Sequence, residues 1–215
     1  MNSLSAIVLA GGKSSRMGRD KALISVNGEP LLHRTCRIAL QCTPTVAILT
    51  DRVEAYAAIA PLECQFLQET PLEHESGDDA SDREPFPHGP LVGFAQALTW
   101  VETDWVLLLA CDLPCLQASI LQRWMQQLPD EQAAIALLPR TQTGWEPLCG
   151  FYHQRCFSTL IPFVQSGGRS FQRWLEQVPV QAIAFSSAPE ECQREHQMLF
   201  NCNTPDDLAA IPPEF

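Results

Sequence analysis

Along most of this chain short β-rich apolar runs alternate with amphipathic stretches, and that alternation admits few architectures. Runs at 6–10, 46–50, 64–67, 105–111, 133–138, 147–152 and 180–185 read as strands. Between them, 30–41, 53–59, 90–101, 118–127, 154–165 and 170–177 read as helices, with Pro30 and Pro90 suited to first-turn positions. Such a pattern predicts an α/β fold with a mostly parallel sheet covered by helices on both faces. Ligands of open sheets of this kind bind beyond the carboxyl ends of the strands.

The first strand runs into Leu9-Ala10-Gly11-Gly12-Lys13-Ser14-Ser15-Arg16-Met17-Gly18-Arg19-Asp20-Lys21. Small residues let backbone N–H groups close on an anion, and several cations arrive within ten positions, as a triphosphate requires. The spacing is not that of a P-loop, since Gly18 is followed by Arg19-Asp20-Lys21 rather than by Lys-Ser/Thr, and no G-x-G-x-x-G occurs. The fourth strand run is followed by Asp112, which should meet the loop at the same sheet edge.

At 215 residues the chain reads as one domain (1–215), large enough for a substantial core. No apolar run approaches the ~20 residues of a membrane helix, and the N-terminal one is too short for a signal-peptide core. A formal charge of −11 disfavours nucleic acid and anionic membrane as partners, and makes a basic loop stand out. Nine cysteines without CxxC pairs, several of them inside apolar runs, suit burial as reduced thiols and a cytoplasmic location. The histidines lack metal-ligand spacing and no G-x-S-x-G elbow is present, so zinc hydrolysis and covalent catalysis are set aside. One segment breaks the pattern: 69–87 is strongly acidic, and 73–87 reads as a flexible insertion.

LAGG-x-S-x-RMG-x-DK, followed by Val26-Asn27-Gly28-Glu29-Pro30-Leu31-Leu32, resembles the nucleotidyltransferase superfamily, and within it most closely the molybdenum cofactor guanylyltransferases. Gly89-Pro90-Leu91-Val92-Gly93 is similar to that family's GPLAG helix start, 110–114 to its metal-binding CD-x-P element, and 201–208 to its terminal N-x-NTPEEL signature. The long acidic insertion and a weakly matched stretch at 165–195 depart from it. The resemblance implies a three-layer Rossmann-like nucleotide-diphospho-sugar transferase fold. It also implies an enzyme that transfers GMP from GTP to molybdopterin-type cofactor with Mg²⁺, and contacts with molybdoenzymes or other cofactor-biosynthesis proteins.

Nucleotidyl transfer sets one anion against another, so cations and a metal must screen the approach and stabilise departing pyrophosphate. Lys21 is the first candidate, a mobile point charge at the end of the loop, and Arg16 could grip β and γ phosphates with its fork. A lone carboxylate at Asp112 fits the sparse protein ligation that Mg²⁺ accepts; its alternative role is to cap the helix near Gln117. Asn201 and Asn203 could reach metal or acceptor, or Asn203 could cap the helix at Pro205. Glu69, at the family's guanine-contacting acidic position, could accept from N1–H and N2–H₂, or simply begin the acidic segment. The resemblance brings the backbone of Leu9, Ala10, Gly11 and Gly12 to the nucleotide. Arg169, in Gly167-Gly168-Arg169-Ser170, is a candidate for the acceptor's phosphate or a turn residue. Other readings stay open: transfer from CTP, a sugar or alcohol phosphate as acceptor, or a carrier that holds cofactor without chemistry.

Overall fold

The computed structural model describes residues 3–11, 20–70, 89–129 and 133–212. Its strands are β1 (Leu4–Leu9), β2 (Ser25–Val26), β3 (Glu29–Pro30), β4 (Val46–Thr50), β5 (Gln65–Gln68) and β6 (Trp105–Ala110), then β7 (Ala136–Leu138), β8 (Arg140–Thr141), β9 (Gly144–Trp145), β10 (Cys149–His153) and β11 (Val180–Ala182). The helices are α1 (Leu31–Leu40), α2 (Val53–Tyr56), α3 (Pro90–Ala97), α4 (Ala118–Met125), α5 (Phe157–Gln165), α6 (Phe171–Leu175), α7 (Pro189–Met198) and α8 (Pro205–Ala209).

Seven strands form one sheet in the order β11-β7-β10-β6-β1-β4-β5. All pairs are parallel except those of β10, which runs antiparallel to β6 and β7. The α/β expectation therefore holds, with one reversed strand that apolar patterning did not disclose. Successive residues of a strand face opposite sides, so β1 sends Ala6 and Val8 into one core and Ile7 into the other. The first core is filled by α1, α4 and Met198 of α7, the second by α3, α5 and α6. Trp105, Trp124 and Trp174 are fully buried. The acidic segment 73–87 lies outside the described residues.

Helix α7 was not foreseen, because its polar sequence carries little apolar periodicity. A buried carboxylate anchors it. Glu195 has no exposed surface and accepts from Arg123 Nη2 at 2.8 Å, Trp124 Nε1 at 2.8 Å and the Ser186 N–H at 2.6 Å. Burial pushes the Glu195 carboxyl upward, yet Arg123, the Ser186 N–H and Trp124 together hold it below the usual carboxylate range. A carboxylate depressed on folding contributes stability that is present above its unfolded pKa and lost as pH falls through the folded value. Glu195→Ala strands the Trp124 and Ser186 donors, and is expected to cost about 3 kcal/mol and lower Tm by about 6–12 °C at neutral pH. Thermal melts from neutral pH down through the acidic range should show the gap between wild type and variant narrowing below pH ~4.5.

Candidate functional site

At the carboxyl edge of the sheet, β1 and β6 end side by side. The Ala10 N–H is taken by the Leu49 carbonyl at 3.0 Å, and the Cys111 N–H by the Leu9 carbonyl at 3.3 Å. Gly12 and Arg16, expected to touch the nucleotide, lie outside the described residues. The chain returns at Asp20, which N-caps the single 3₁₀ turn Lys21–Leu23 through the Ala22 N–H at 3.0 Å. Its other oxygen accepts from Arg52 Nη1 at 2.9 Å and Tyr56 Oη at 2.8 Å. Asp20 thus ties the end of the loop to α2 and sets where Lys21 begins.

Lys21 Nζ donates to Asp112 Oδ2 at 3.1 Å and to Asn203 Oδ1 at 2.6 Å. Three of the residues singled out from sequence, spread from position 21 to 203, therefore meet at one ammonium. Lys21 and Asp112 side chains remain 18% and 21% exposed, so the cluster opens to solvent rather than lying in the core. It lies in a cavity of about 240 Å³ lined by Leu9, Gly11, Lys21, Pro90, Asp112 and Leu148, among others.

The backbone around this cluster is tied down on each side. The Cys202 N–H donates to the Asp112 carbonyl at 2.9 Å, joining the end of β6 to the segment that carries Asn203. Thr204 caps α8 in a reciprocal box with Asp207, whose carboxylate also accepts the Asn203 N–H at 2.8 Å. Asn203 is thus not the cap, and its amide oxygen is given to Lys21. Asp112 is not a cap either, since the residue preceding α4 is Gln117, which makes no side-chain capping bond. Asn201 turns back instead, donating to the Leu199 carbonyl at 3.3 Å.

Glu69 follows β5, its N–H bonded to the Thr50 carbonyl at 2.9 Å. Its carboxylate is half-buried between two glycines. A Cβ on Gly11 would come within 3.3 Å of Glu69 Oε2, and one on Gly93 within 3.3 Å of Oε1 and 2.9 Å of Leu49 Cδ2. The GPLVG element therefore brings a helix start against the carboxylate that the sequence offered for base recognition. Burial, with the Asp51 charge nearby, pushes the Glu69 carboxyl up.

Arg169 stands apart from this cluster. Its Nη1 donates to the Val164 and Gly168 carbonyls at 2.9 and 2.8 Å, and it lines a different cavity with Phe163 and Arg173. Its backbone carbonyl does approach Gly89, 3.7 Å from where a Cβ would sit.

Among the described residues no group of three His, Cys, Asp or Glu side chains converges on a metal-sized space. Asp112 nevertheless keeps Oδ1 out of any hydrogen bond there, which suits a hard cation completed by phosphate oxygens and water. Sequence reasoning missed Asp20, Arg52 and Tyr56 as supports of the loop. Asp20 had a local signal, a capping residue before a short turn, whereas Arg52 and Tyr56 meet it only through the fold.

The MobA-like NTP transferase domain matches residues 6–181. A Trichormus variabilis protein named "Probable molybdenum cofactor guanylyltransferase" is 49% identical over 218 aligned residues, covering 100% of this chain and 93% of that protein. Molybdopterin-guanine dinucleotide biosynthesis protein A from Archaeoglobus fulgidus has a similar structure, with a TM-score of 0.69, 21% identity and 96% of each chain covered. A Mycobacterium tuberculosis protein, Rv0371C, solved in complex with manganese, aligns with a TM-score of 0.62, 17% identity and 97% of each chain covered.

Proposed function

Because the chain belongs to the MobA-like NTP transferases, and within them to the molybdenum cofactor guanylyltransferases, we propose that its site transfers GMP from GTP to the phosphate of molybdopterin. The observation that carries this reading is the Lys21 ammonium seated between Asp112 and Asn203 at the sheet edge. An acceptor phosphate oxygen forms the new bond to the α-phosphorus, the bond to the β-phosphate bridging oxygen breaks, and pyrophosphate leaves with the electron pair. Lys21 and Arg16 balance the negative charge that builds on the phosphates, and no protein nucleophile is needed. Asp112 would hold a divalent cation, which we read as Mg²⁺, and that ion would supply positive charge at the phosphate oxygens.

Leu9, Ala10, Gly11 and Gly12 take the nucleoside side of GTP, with Glu69 at the guanine edge. Asn203, beside Lys21, serves the acceptor side, with Asn201 two residues before it in the chain; Arg169, bonded to the Val164 and Gly168 carbonyls in a different cavity, is given no part there. The whole chain acts as one domain. No helix among the described residues is long and apolar enough to cross a membrane, and burial of seven of the nine cysteines suits the reducing cytoplasm in which molybdoenzymes or other cofactor-biosynthesis proteins would take the product.

Comparing GTP, CTP and UTP for pyrophosphate release with molybdopterin tests the reading. GTP should be the substrate; release from CTP alone, or only with sugar phosphates, overturns it. Glu69→Ala should raise KM for GTP by about 10–100-fold, since a charged acceptor facing two donors is lost. The raised Glu69 pKa adds a sign: in the wild type KM for GTP should begin to climb, as pH falls, above the ordinary carboxylate range. Steady-state kinetics at several pH values checks both.

A further inference from the structure

A second cavity, about 490 Å³, opens beside the Lys21 cluster, within the size range of small-molecule sites of about 300–1,000 Å³. Its wall includes Cys115, Glu146, Leu199, Phe200, Ala210 and Pro212. Three stretches of chain serve both cavities. Residues 110–112 line the first and Cys115 the second; Leu148 lines the first and Glu146 the second. Leu199 and Phe200 line the second just before Cys202 and Asn203 bond to Asp112 and Lys21. The two cavities are thus built on the same three stretches of chain.

Among the described lining residues Glu146 is the one carboxylate, on a cavity surface that is mostly apolar. It is half-buried where the β8–β9 hairpin returns to the sheet, with its N–H bonded to the Pro139 carbonyl at 3.0 Å. Thr141 Oγ1 donates to its Oε1 at 3.1 Å, and its Oε2 makes no hydrogen bond among the described residues. Burial pushes its carboxyl up, partly offset by that Thr141 bond. A half-buried carboxylate with an uncommitted oxygen, on an apolar cavity, favours a flat ring bearing adjacent N–H donors.

We propose that this cavity seats the bicyclic ring of the acceptor, with Glu146 accepting hydrogen bonds from its 2-amino and adjacent ring N–H groups. The inference rests on the guanylyl-transfer reading, which makes the acceptor a pterin. The dinucleotide product carries two aminopyrimidinone edges, and the two halves of the site each offer one half-buried carboxylate for them: Glu69 for guanine and Glu146 for the pterin.

The test uses the full chain with Mg²⁺ and saturating guanosine α,β-methylene triphosphate, which fills the guanine position. Pterin is titrated by its own fluorescence and compared with lumazine, in which an oxo group replaces the 2-amino donor. Pterin should bind about tenfold or more tightly than lumazine, and Glu146→Gln should remove that preference. In turnover the same variant should raise KM for molybdopterin by about tenfold or more while KM for GTP stays within about twofold. Equal binding of the two heterocycles, no pterin binding up to millimolar concentration, or an unchanged molybdopterin KM in the variant overturns the assignment of Glu146. Those results, with pyrophosphate still released from GTP by the wild-type chain, leave the guanylyl-transfer reading standing. Absence of that release overturns the reading itself.

Discussion

Lys21→Ala is expected to lower pyrophosphate release from GTP and molybdopterin by about 10²–10³-fold, or about 2.7–4 kcal/mol of transition-state stabilisation, as for other preorganised charges. The ammonium is held before substrate arrives, by Asp112 at 3.1 Å and Asn203 at 2.6 Å, so little reorganisation is needed when charge develops on the phosphates. Lys21→Arg should not rescue it. A planar fork placed between two acceptors that receive a single nitrogen at these distances must displace one of them. Stability should change by less than about 1 kcal/mol, because both ends of the Lys21–Asp112 pair reach solvent. Steady-state turnover beside a thermal melt separates the two effects. Near-normal turnover in Lys21→Ala would remove Lys21 from the mechanism.

The parts of this site that sequence disclosed are those with a local chemical reason. Lys21 ends a glycine-rich loop, Asp112 leaves an apolar strand ahead of a proline, and the Thr204-Pro205-Asp206-Asp207 run reads as a capped helix start; each is found where that logic put it. Ambiguity remained where one residue had two local roles. Asn203 could cap α8 or face the site, and only the fold shows Thr204 taking the cap while Asn203 faces Lys21. Strand direction was illegible for a related reason. All five residues of β10 are buried, so an antiparallel strand shows the same unbroken apolar run as its parallel neighbours. The Asp20–Arg52–Tyr56 support joins residues 32 and 36 positions apart, and Glu146 shares its cavity with Leu199 and Phe200, which directly follow α7, a helix with too little apolar periodicity to be read in advance.

Asp112 admits two accounts, and a pair of variants separates them. It could serve only to position Lys21, or it could also hold the divalent cation that the phosphates need. Asp112→Ala should reduce turnover by about 10²–10³-fold under either account, because both the Lys21 partner and the charge disappear. Asp112→Asn keeps the side-chain shape and an oxygen for the Lys21 ammonium while removing the negative charge. If Asp112 only positions Lys21, the asparagine variant recovers most of the lost turnover and its Mg²⁺ dependence matches that of the wild type. We expect the other result: turnover that stays about 10²-fold or more down, with half-maximal activity moved to higher Mg²⁺ concentration, because a neutral amide is a poor ligand for a hard dication. The Oδ1 that lies outside the Lys21 bond favours this outcome, since the carboxylate can face a cation without releasing the ammonium. Titrating Mg²⁺ against turnover in the wild type and both variants decides it, and an asparagine variant with unchanged Mg²⁺ dependence and near-wild-type rate would confine Asp112 to holding Lys21 in place.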